Sequence, residues 1–486
     1  MAEYSITDYI NLSWLYWIIV TIYSITILSI VAIILSENRN PVKSLAWVTV
    51  LLLLPAIGLV LYIFFGRSIK NTHMISRRNQ RRLKRNYSHY IQTTDIENKN
   101  LSPESIQQIN LTRSLNGSRF YTHNGLKIYT NGNDKFKALK NDLLKASKYI
   151  NLQYYIFEDD AIGTEIKDIL IKKAREGVKV RVMYDHVGSF QVKNNFFKEM
   201  ENAGIMTHPF FKVSVPVFAT RVNWRNHRKI CIIDGEIGYI GGMNIADRYL
   251  TGGKFPSWRD THLRVTGPIL SALQYSFTID WNFLKPTLAE EDMHTIKPTN
   301  NTAENIGMQL LSSGPTCQWS NIALVFLKAI SNAKRSILIQ TPYFLPTESL
   351  LKALQSAALS NVKVRIMLPR RSDSKILRYA SYSYIDECIK SGIKFYLYDA
   401  GMLHSKTIVI DNEFCTIGST NFDFRSFEHN FECNLFIYSQ KVNTSMREIF
   451  AEDLKHSTRI NKNTWKRRPL TQKIAESITR LLSPIL

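Results

Sequence analysis

Two stretches of this chain carry the same combination of reactive side chains. Residues 226–244 read NHRKICIIDGEIGYIGGMN, and residues 403–421 read LHSKTIVIDNEFCTIGSTN. In both, the histidine is followed 2 residues later by lysine, 7 later by aspartate and 17 later by asparagine. The sets are His227, Lys229, Asp234 and Asn244, then His404, Lys406, Asp411 and Asn421. Lysine supplies positive charge, asparagine a directional N–H, and histidine a nitrogen that titrates near neutral pH. With Gly241 and Gly242, or Gly418 and Ser419, allowing close backbone approach, such a set suits a phosphate ester. It suits a metal poorly, because a protonated lysine repels a cation and no H-x-x-x-H or acidic cluster lies nearby.

The elements that must position these groups are legible around them. HRKICIID and HSKTIVID are short, apolar and β-branched, the composition of buried strands, and each ends in a turn signal, Asp-Gly or Asp-Asn. Strand side chains alternate faces. His227 therefore shares a face with Lys229, and His404 with Lys406. Asp234 and Asp411 have the opposite parity and fall at the turn, which predicts a scaffold role and no part in proton transfer.

The repetition extends further. LKIYTNG (126–132) reads as a strand, followed by a helix over 134–148, a strand over 148–157, a helix from Ala161 to Glu176 and the strand VKVRVMYD over 178–185. In the second half SILIQTPYF (336–344) matches 149–157, a helix starts near Glu348, and VKVRIMLP (362–369) matches VKVRVMYD. Alternating strands and helices argue for α/β layers around a largely buried sheet. Two copies of one α/β unit is the simplest architecture.

The pattern H-x-K-x4-D followed by G-G/S and Asn resembles the signature of the phospholipase D superfamily. With the N-terminal stretch NPVKSLAWVTVLLLLPAIGLVLYIFFGR, the chain is similar over essentially its whole length to the two-motif bacterial cardiolipin synthases. The resemblance implies two repeats about a pseudo-two-fold axis, with both histidines at one site. It implies a phosphatidyl transfer between two phosphatidylglycerol molecules, giving cardiolipin and glycerol without nucleotide, metal or other cofactor. By the same resemblance the catalytic set is His227, Lys229, Asp234, His404, Lys406 and Asp411, with His227 the nucleophile and His404 the acid and base. Lys229, Lys406, Asn244 and Asn421 would spread charge on the phosphate oxygens. In each half the family also places a downstream acid on a histidine, and the matching positions are Asp260 and Glu432. Counted within each half they fall 33 and 28 residues after the histidine, with LTGGKFPS enlarging the first interval.

The formal charge is +22, which calls for an anionic partner, nucleic acid or membrane. Position favours membrane. Residues 14–35 and 44–65 hold no charged side chain, and each is long enough for a ~30 Å hydrocarbon core at ~1.5 Å per residue. Trp14, Trp17, Trp47 and Tyr62 lie near their ends, as interfacial rings do. Residues 67–85 then carry 8 Lys or Arg and no acid, which predicts a cytoplasmic catalytic region on a two-span hairpin in a bacterial cell membrane. The expected layout is a hairpin over 1–66, a basic segment and linker with a short helix over 67–118, repeats over 119–290 and 300–460, and a basic amphipathic tail over 461–486. The expected partners are phosphatidylglycerol and other anionic lipids, with no nucleic acid.

Softer signals complete the reading. Arg221, Arg225 and Arg228 crowd the approach to His227 and either gather headgroups or form a solvated basic strand. Trp465, then Leu470, Ile474, Ile478, Leu481 and Leu482 at helical spacing, describe an end that either lies in the membrane interface or docks as a core helix. The 5 cysteines form no C-x-x-C pair, consistent with a reducing compartment. With water as acceptor the same site would be a phospholipase or nuclease, and a lipid-binding scaffold would be expected to have lost a motif His or Lys.

Overall fold

The computed structural model describes residues 6–36, 41–62, 66, 101–212, 223–284 and 304–483. The basic run over 67–85, the linker over 86–100 and Arg221 lie outside the described residues. The chain divides into two compact units, Met1–Ser68 with Ser214–Asn223, and Ile69–Val213 with Trp224–Leu486.

In the first unit α1 spans Ile6–Ser36, α2 Pro41–Leu53 and α3 Pro55–Leu61. Residues Trp14–Ala32 of α1 have a mean hydropathy of 2.1 and only 6% of that stretch is buried, whereas a core helix would be mostly covered. The second apolar run departs from the expected continuous span. Pro55 removes a backbone N–H and its ring disfavours a helical residue before it, so Leu54 sits at φ −128°, ψ 66° and the helix divides. Among the described residues one helix is long and apolar enough to cross a membrane, and α2 alone covers about 20 Å. Ile27, Ile34, Leu51 and Tyr62 form this unit's core, and Trp47 meets Tyr62 edge to face at 5.4 Å.

The second unit is built on a 15-stranded sheet. The first repeat supplies β1 (Tyr121–Tyr129), β2 (Tyr149–Tyr154), β3 (Lys179–Asp185), β4 (Met206–Phe210), β5 (Ile230–Ile233), β6 (Ile237–Gly241), the short β7 (Trp258–Arg259) and β8 (His262–Thr266). The second supplies β9 (Ile306–Ser313), β10 (Ser336–Gln340), β11 (Phe344–Leu345), β12 (Lys363–Pro369) and β13 (Lys394–Tyr398). It continues with β14 (Met402–Leu403), β15 (Thr407–Ile410), β16 (Phe414–Gly418), β17 (Phe422–Asp423), β18 (Glu432–Tyr438) and β19 (Ser457–Arg459); of these strands β7 with β14 and β11 with β17 form two separate pairs outside the large sheet.

Outward from one centre the first repeat runs β1-β8-β6-β5-β2-β3-β4 and the second β9-β18-β16-β15-β10-β12-β13, with β19 added at the far edge. The two orders match strand for strand. β1 pairs antiparallel with β9 at the centre, as a pseudo-two-fold axis there requires. β2, β3 and β4 are parallel, as are β10, β12 and β13. One core cluster draws on both repeats, joining Leu263 and Val265 of β8 to Leu435 and Ile437 of β18, so the halves share an interior.

Asp234 and Asp411 explain themselves at this level. Both occupy the left-handed region, φ 56° and 48°, which Asp tolerates better than most side chains. The Asp234 carboxylate accepts N–H bonds from Ser147 (2.7 Å), Lys148 (2.8 Å) and Tyr149 (2.8 Å). Asp411 does the same for Lys334 (2.8 Å), Arg335 (2.7 Å) and Ser336 (2.9 Å). Each ties the turn after a motif strand to the start of the neighbouring strand. Neither lines the cleft that holds the histidines.

Candidate active site

Both histidines open onto one cleft of about 590 Å³, lined also by Tyr155, Asn244, Tyr249, Trp258, Asn421 and Asp423. It lies where β2 and β10 end, the usual position for a site in an α/β sheet. Two cross-repeat seams place the imidazoles. β7 runs parallel to β14, and His404 N–H donates to Arg259 O at 2.7 Å. Asn226 bridges to Phe431, with His227 N–H donating to Phe431 O at 2.9 Å and Phe431 N–H to Arg225 O at 2.8 Å.

The seams cross the acids over. His227 Nδ1 lies 2.9 and 3.1 Å from the Glu432 oxygens, and His404 Nδ1 lies 2.7 Å from Asp260 Oδ2. Each histidine is therefore held by a carboxylate of the other repeat, so the interval from a histidine to the acid downstream of it is not the one the fold closes. Both acids are fully buried and have other partners. Glu432 accepts from Ser419 Oγ and from Asn430 Nδ2 (3.3 Å), and Asp260 accepts from Thr261 N–H at 2.7 Å. The motif glycine follows from this packing, since a Cβ on Gly242 would stand 2.1 Å from Asp260 Oδ1. In the second repeat Ser419 occupies the matching place and its hydroxyl grips the acid.

The two imidazoles differ in what else touches Nδ1. For His227 the partners of that nitrogen are the carboxylate oxygens, which fixes the proton on Nδ1 and leaves Nε2 with a free lone pair. For His404, Nδ1 also lies 2.6 Å from Lys406 Nζ, between an anion and a cation. Burial lowers the His227 pKa to about 4, against the pull of Glu432 and with help from Lys229. His404 is likewise lowered, first by burial and then by Lys406. Burial alone would raise both acids. Lys406 and His404 hold Asp260 below its ordinary value, and His227 and Lys229 do so for Glu432.

The lysines lie beneath the histidines and outside the cleft lining. Lys229 Nζ donates to His227 O at 2.6 Å and sits 5.3 Å from the Tyr155 ring centre. Burial lowers it to about 7, with Glu432 opposing and Lys406 reinforcing. Lys406 Nζ donates to His404 O and stands 3.7 Å from Asp260. Of the two asparagines, Asn244 is braced on both sides, accepting from Ile156 N–H (3.1 Å) and donating to Tyr249 Oη (2.9 Å). Asn421 bonds Asp423, and its Oδ1 is buried without a hydrogen-bond partner among the described residues.

Several lining groups were not singled out from sequence. Tyr155 meets His227 edge-on at 4.9 Å, and burial raises its pKa to about 12. Trp258 and Tyr249 stand 5.4 and 6.3 Å from His404. Burial also raises Asp423 to about 6, with Glu432 adding to the shift. Tyr155 lies in the QYYIF stretch just past the end of β2, where the fold puts chemistry, but a tyrosine in an apolar run carries no motif of its own. Of the basic trio, Arg225 lines the cleft and pairs with buried Asp185 at 3.2 Å. Arg228 pairs with Asp280 at 2.5 Å and does not line it.

Comparison with known proteins agrees with the geometry. The family described as cardiolipin synthase, PLD-like domain matches residues 139–254 and 326–454, one block in each repeat. A second family, Phospholipase_D-nuclease N-terminal, matches residues 24–67. The chain is 40% identical to the major cardiolipin synthase ClsA of Bacillus subtilis (strain 168), covering 96% of this chain and 98% of the relative. It is 38% identical to a cardiolipin synthase of Halalkalibacterium halodurans, covering 97% and 95%. A cardiolipin synthase of Oceanobacillus iheyensis is 40% identical, covering 94% and 96%. Among solved structures, phosphatidylserine synthase of Haemophilus influenzae Rd KW20 superimposes with a TM-score of 0.61 at 14% identity, over 78% of this chain and 100% of that one, a likeness of fold. With one matching block in each half of a continuous pseudo-symmetric sheet and near full-length kinship to several curated relatives, the chain belongs to the bacterial cardiolipin synthases of the phospholipase D superfamily.

Proposed function

We propose that this chain transfers a phosphatidyl group from one phosphatidylglycerol to a hydroxyl of another, giving cardiolipin and glycerol. The observation that carries the reading is the pair of crossed carboxylate–imidazole contacts over a single cleft. Nε2 of His227 forms a bond to phosphorus as the bond from phosphorus to the glycerol oxygen breaks. His404 gives its proton to that departing oxygen. A second phosphatidylglycerol enters, its hydroxyl loses a proton to His404, and the new P–O bond forms as the P–N bond breaks. Splitting one displacement into two lowers each barrier, and proton transfer of this kind is worth roughly 10²–10⁴-fold.

The difference between the imidazoles supports this division of labour. A nucleophile needs a fixed tautomer and an unprotonated Nε2, and the carboxylate pairing and low pKa of His227 favour both. An acid and base must change charge during turnover, and His404 sits beside both an anion and a cation that respond to such a change. Asp260 and Glu432 orient the rings and stabilise the imidazolium forms. Lys229 and Lys406 act by field from below, and Asn244 and Asn421 line the phosphate position.

α1 is one span, the divided stretch α2–α3 returns the chain across the bilayer, and the basic run over 67–85 keeps the catalytic unit cytoplasmic. The limits 1–66, 67–118, 119–290, 300–460 and 461–486 then separate hairpin, linker, two repeats and tail. The test is purified full-length protein with phosphatidylglycerol labelled separately in glycerol and acyl chain. Equal yields of cardiolipin and free glycerol are expected. Phosphatidic acid as the main product would overturn transfer in favour of hydrolysis.

A further inference from the structure

The helix Leu470–Leu481 is amphipathic, yet it sits the wrong way round for a helix in water. Its inner face is polar or small: Gln472, Ala475, Glu476 and Thr479. Glu476 is 2% exposed and is held by Arg468 at 2.7 Å and Gln472 at 2.8 Å. On the opposite side Leu470, Ile474, Ile478 and Leu481 are 71%, 50%, 58% and 81% exposed. At 100° per residue these four fall in one sector of about 80°, with Glu476 roughly opposite its middle.

The inversion is anchored. The Arg480 guanidinium lies 4.4 Å from the Tyr384 ring centre and pairs with Glu387, while Trp465 meets Tyr382 at 5.4 Å. The helix packs on the helix Lys375–Tyr382, whose Leu377 lines the catalytic cleft and whose Ile376 is 50% exposed. The flanking chain is basic. Lys462, Lys466 and Arg467 are exposed, and Glu476, the one acid among residues 461–483, is already paired.

An aliphatic stripe facing outward and a cationic rim beside it are the two requirements of an anionic bilayer surface, where side chains enter the acyl boundary and cations meet headgroups. We propose that the helix Leu470–Leu481 is an interfacial helix, its aliphatic stripe set into an anionic membrane surface, and that it holds the neighbouring wall of the cleft where lipid enters. The docking itself stands on this geometry. Only the identity of the lipid rests on the phosphatidylglycerol reading.

The test uses the full chain reconstituted in vesicles of phosphatidylglycerol and phosphatidylethanolamine. Leu481→Cys, in a Cys317→Ser background whose other four cysteines are buried, carries an environment-sensitive fluorophore. Spin-labelled phosphatidylglycerol is expected to quench it, with emission shifted to the blue of that in detergent. No quenching by lipid, or self-quenching that rises with protein density and marks a second copy as the cover, overturns the proposal. Independently, the double variant Ile474→Asp/Ile478→Asp is expected to turn over phosphatidylglycerol roughly tenfold more slowly in vesicles and within about twofold of the parent in detergent micelles. Equal loss in both media, or none in vesicles, overturns it. A product other than cardiolipin would defeat the functional reading while leaving the quenching result to decide the docking.

Discussion

Replacing Glu432 by Gln removes one charge and little else. The side chain keeps its volume, stays buried, and retains an oxygen that can accept from His227 Nδ1, now 2.9 Å from Glu432 Oε1. At neutral pH His227 is uncharged before reaction, because burial has lowered it to about 4. The carboxylate therefore does most when attack on phosphorus makes the ring cationic. Two unit charges about 4 Å apart at an effective dielectric of about 20 interact by about 4 kcal/mol, and each 1.36 kcal/mol is tenfold in rate. Since the amide retains part of the interaction through its oxygen, kcat is expected to fall about 10²–10³-fold. KM should hardly move, because Glu432 does not line the cleft. The assay is steady-state cardiolipin formation together with acid-quenched single turnover, in which the burst of phosphatidyl-enzyme should slow as much as kcat. Thermal unfolding of the variant in the same detergent controls for damage. A well-folded Glu432→Gln protein with kcat within about threefold of the parent would refute the assignment.

Three further outcomes are expected. Asp260→Asn should slow turnover about 10²-fold through His404, and a phosphatidyl ester of p-nitrophenol, whose leaving group needs no protonation, should restore its first step while failing to rescue Glu432→Gln. kcat/KM should fall below about pH 4 as His227 takes a proton and loses its lone pair; on the alkaline side it should fall as His404, held below its ordinary value by burial and Lys406, loses the proton it must donate, and further above about pH 7 as Lys229 loses charge. Asp411→Asn should cost about 2 kcal/mol of stability by denaturant titration, from three weakened N–H contacts, and leave the kcat of the folded protein unchanged; lost turnover in a folded, lipid-binding protein would overturn the scaffold assignment.

Much of the fold was legible because the chain repeats itself. VKVRVMYD and VKVRIMLP became β3 and β12 in matching places, and the parity of Asp234 and Asp411 foretold their turns. What sequence could not supply was the pairing across repeats. Nothing in the interval from His227 to Asp260 reveals that the ring turns to Glu432, because the choice is made by the seams between β7 and β14 and between Asn226 and Phe431. The break within the run over 44–65 comes from Pro55, a residue whose presence in an apolar stretch does not by itself separate a kink from a stop. The aromatic groups at the histidines were invisible for another reason: Tyr155 follows β2, Tyr249 sits in the short helix Arg248–Thr251 and Trp258 in β7, and their types alone do not separate a cleft wall from a core.

The exchange of acids between repeats also governs when the protein becomes able to act on lipid. The first half by itself contains neither Glu432, the anion on His227 Nδ1, nor His404, the ring that Asp260 holds. Reactivity must wait until the last third of the chain has emerged and docked. A truncated or half-assembled product, even one tethered among its substrates, is thereby kept from cutting the membrane that carries it.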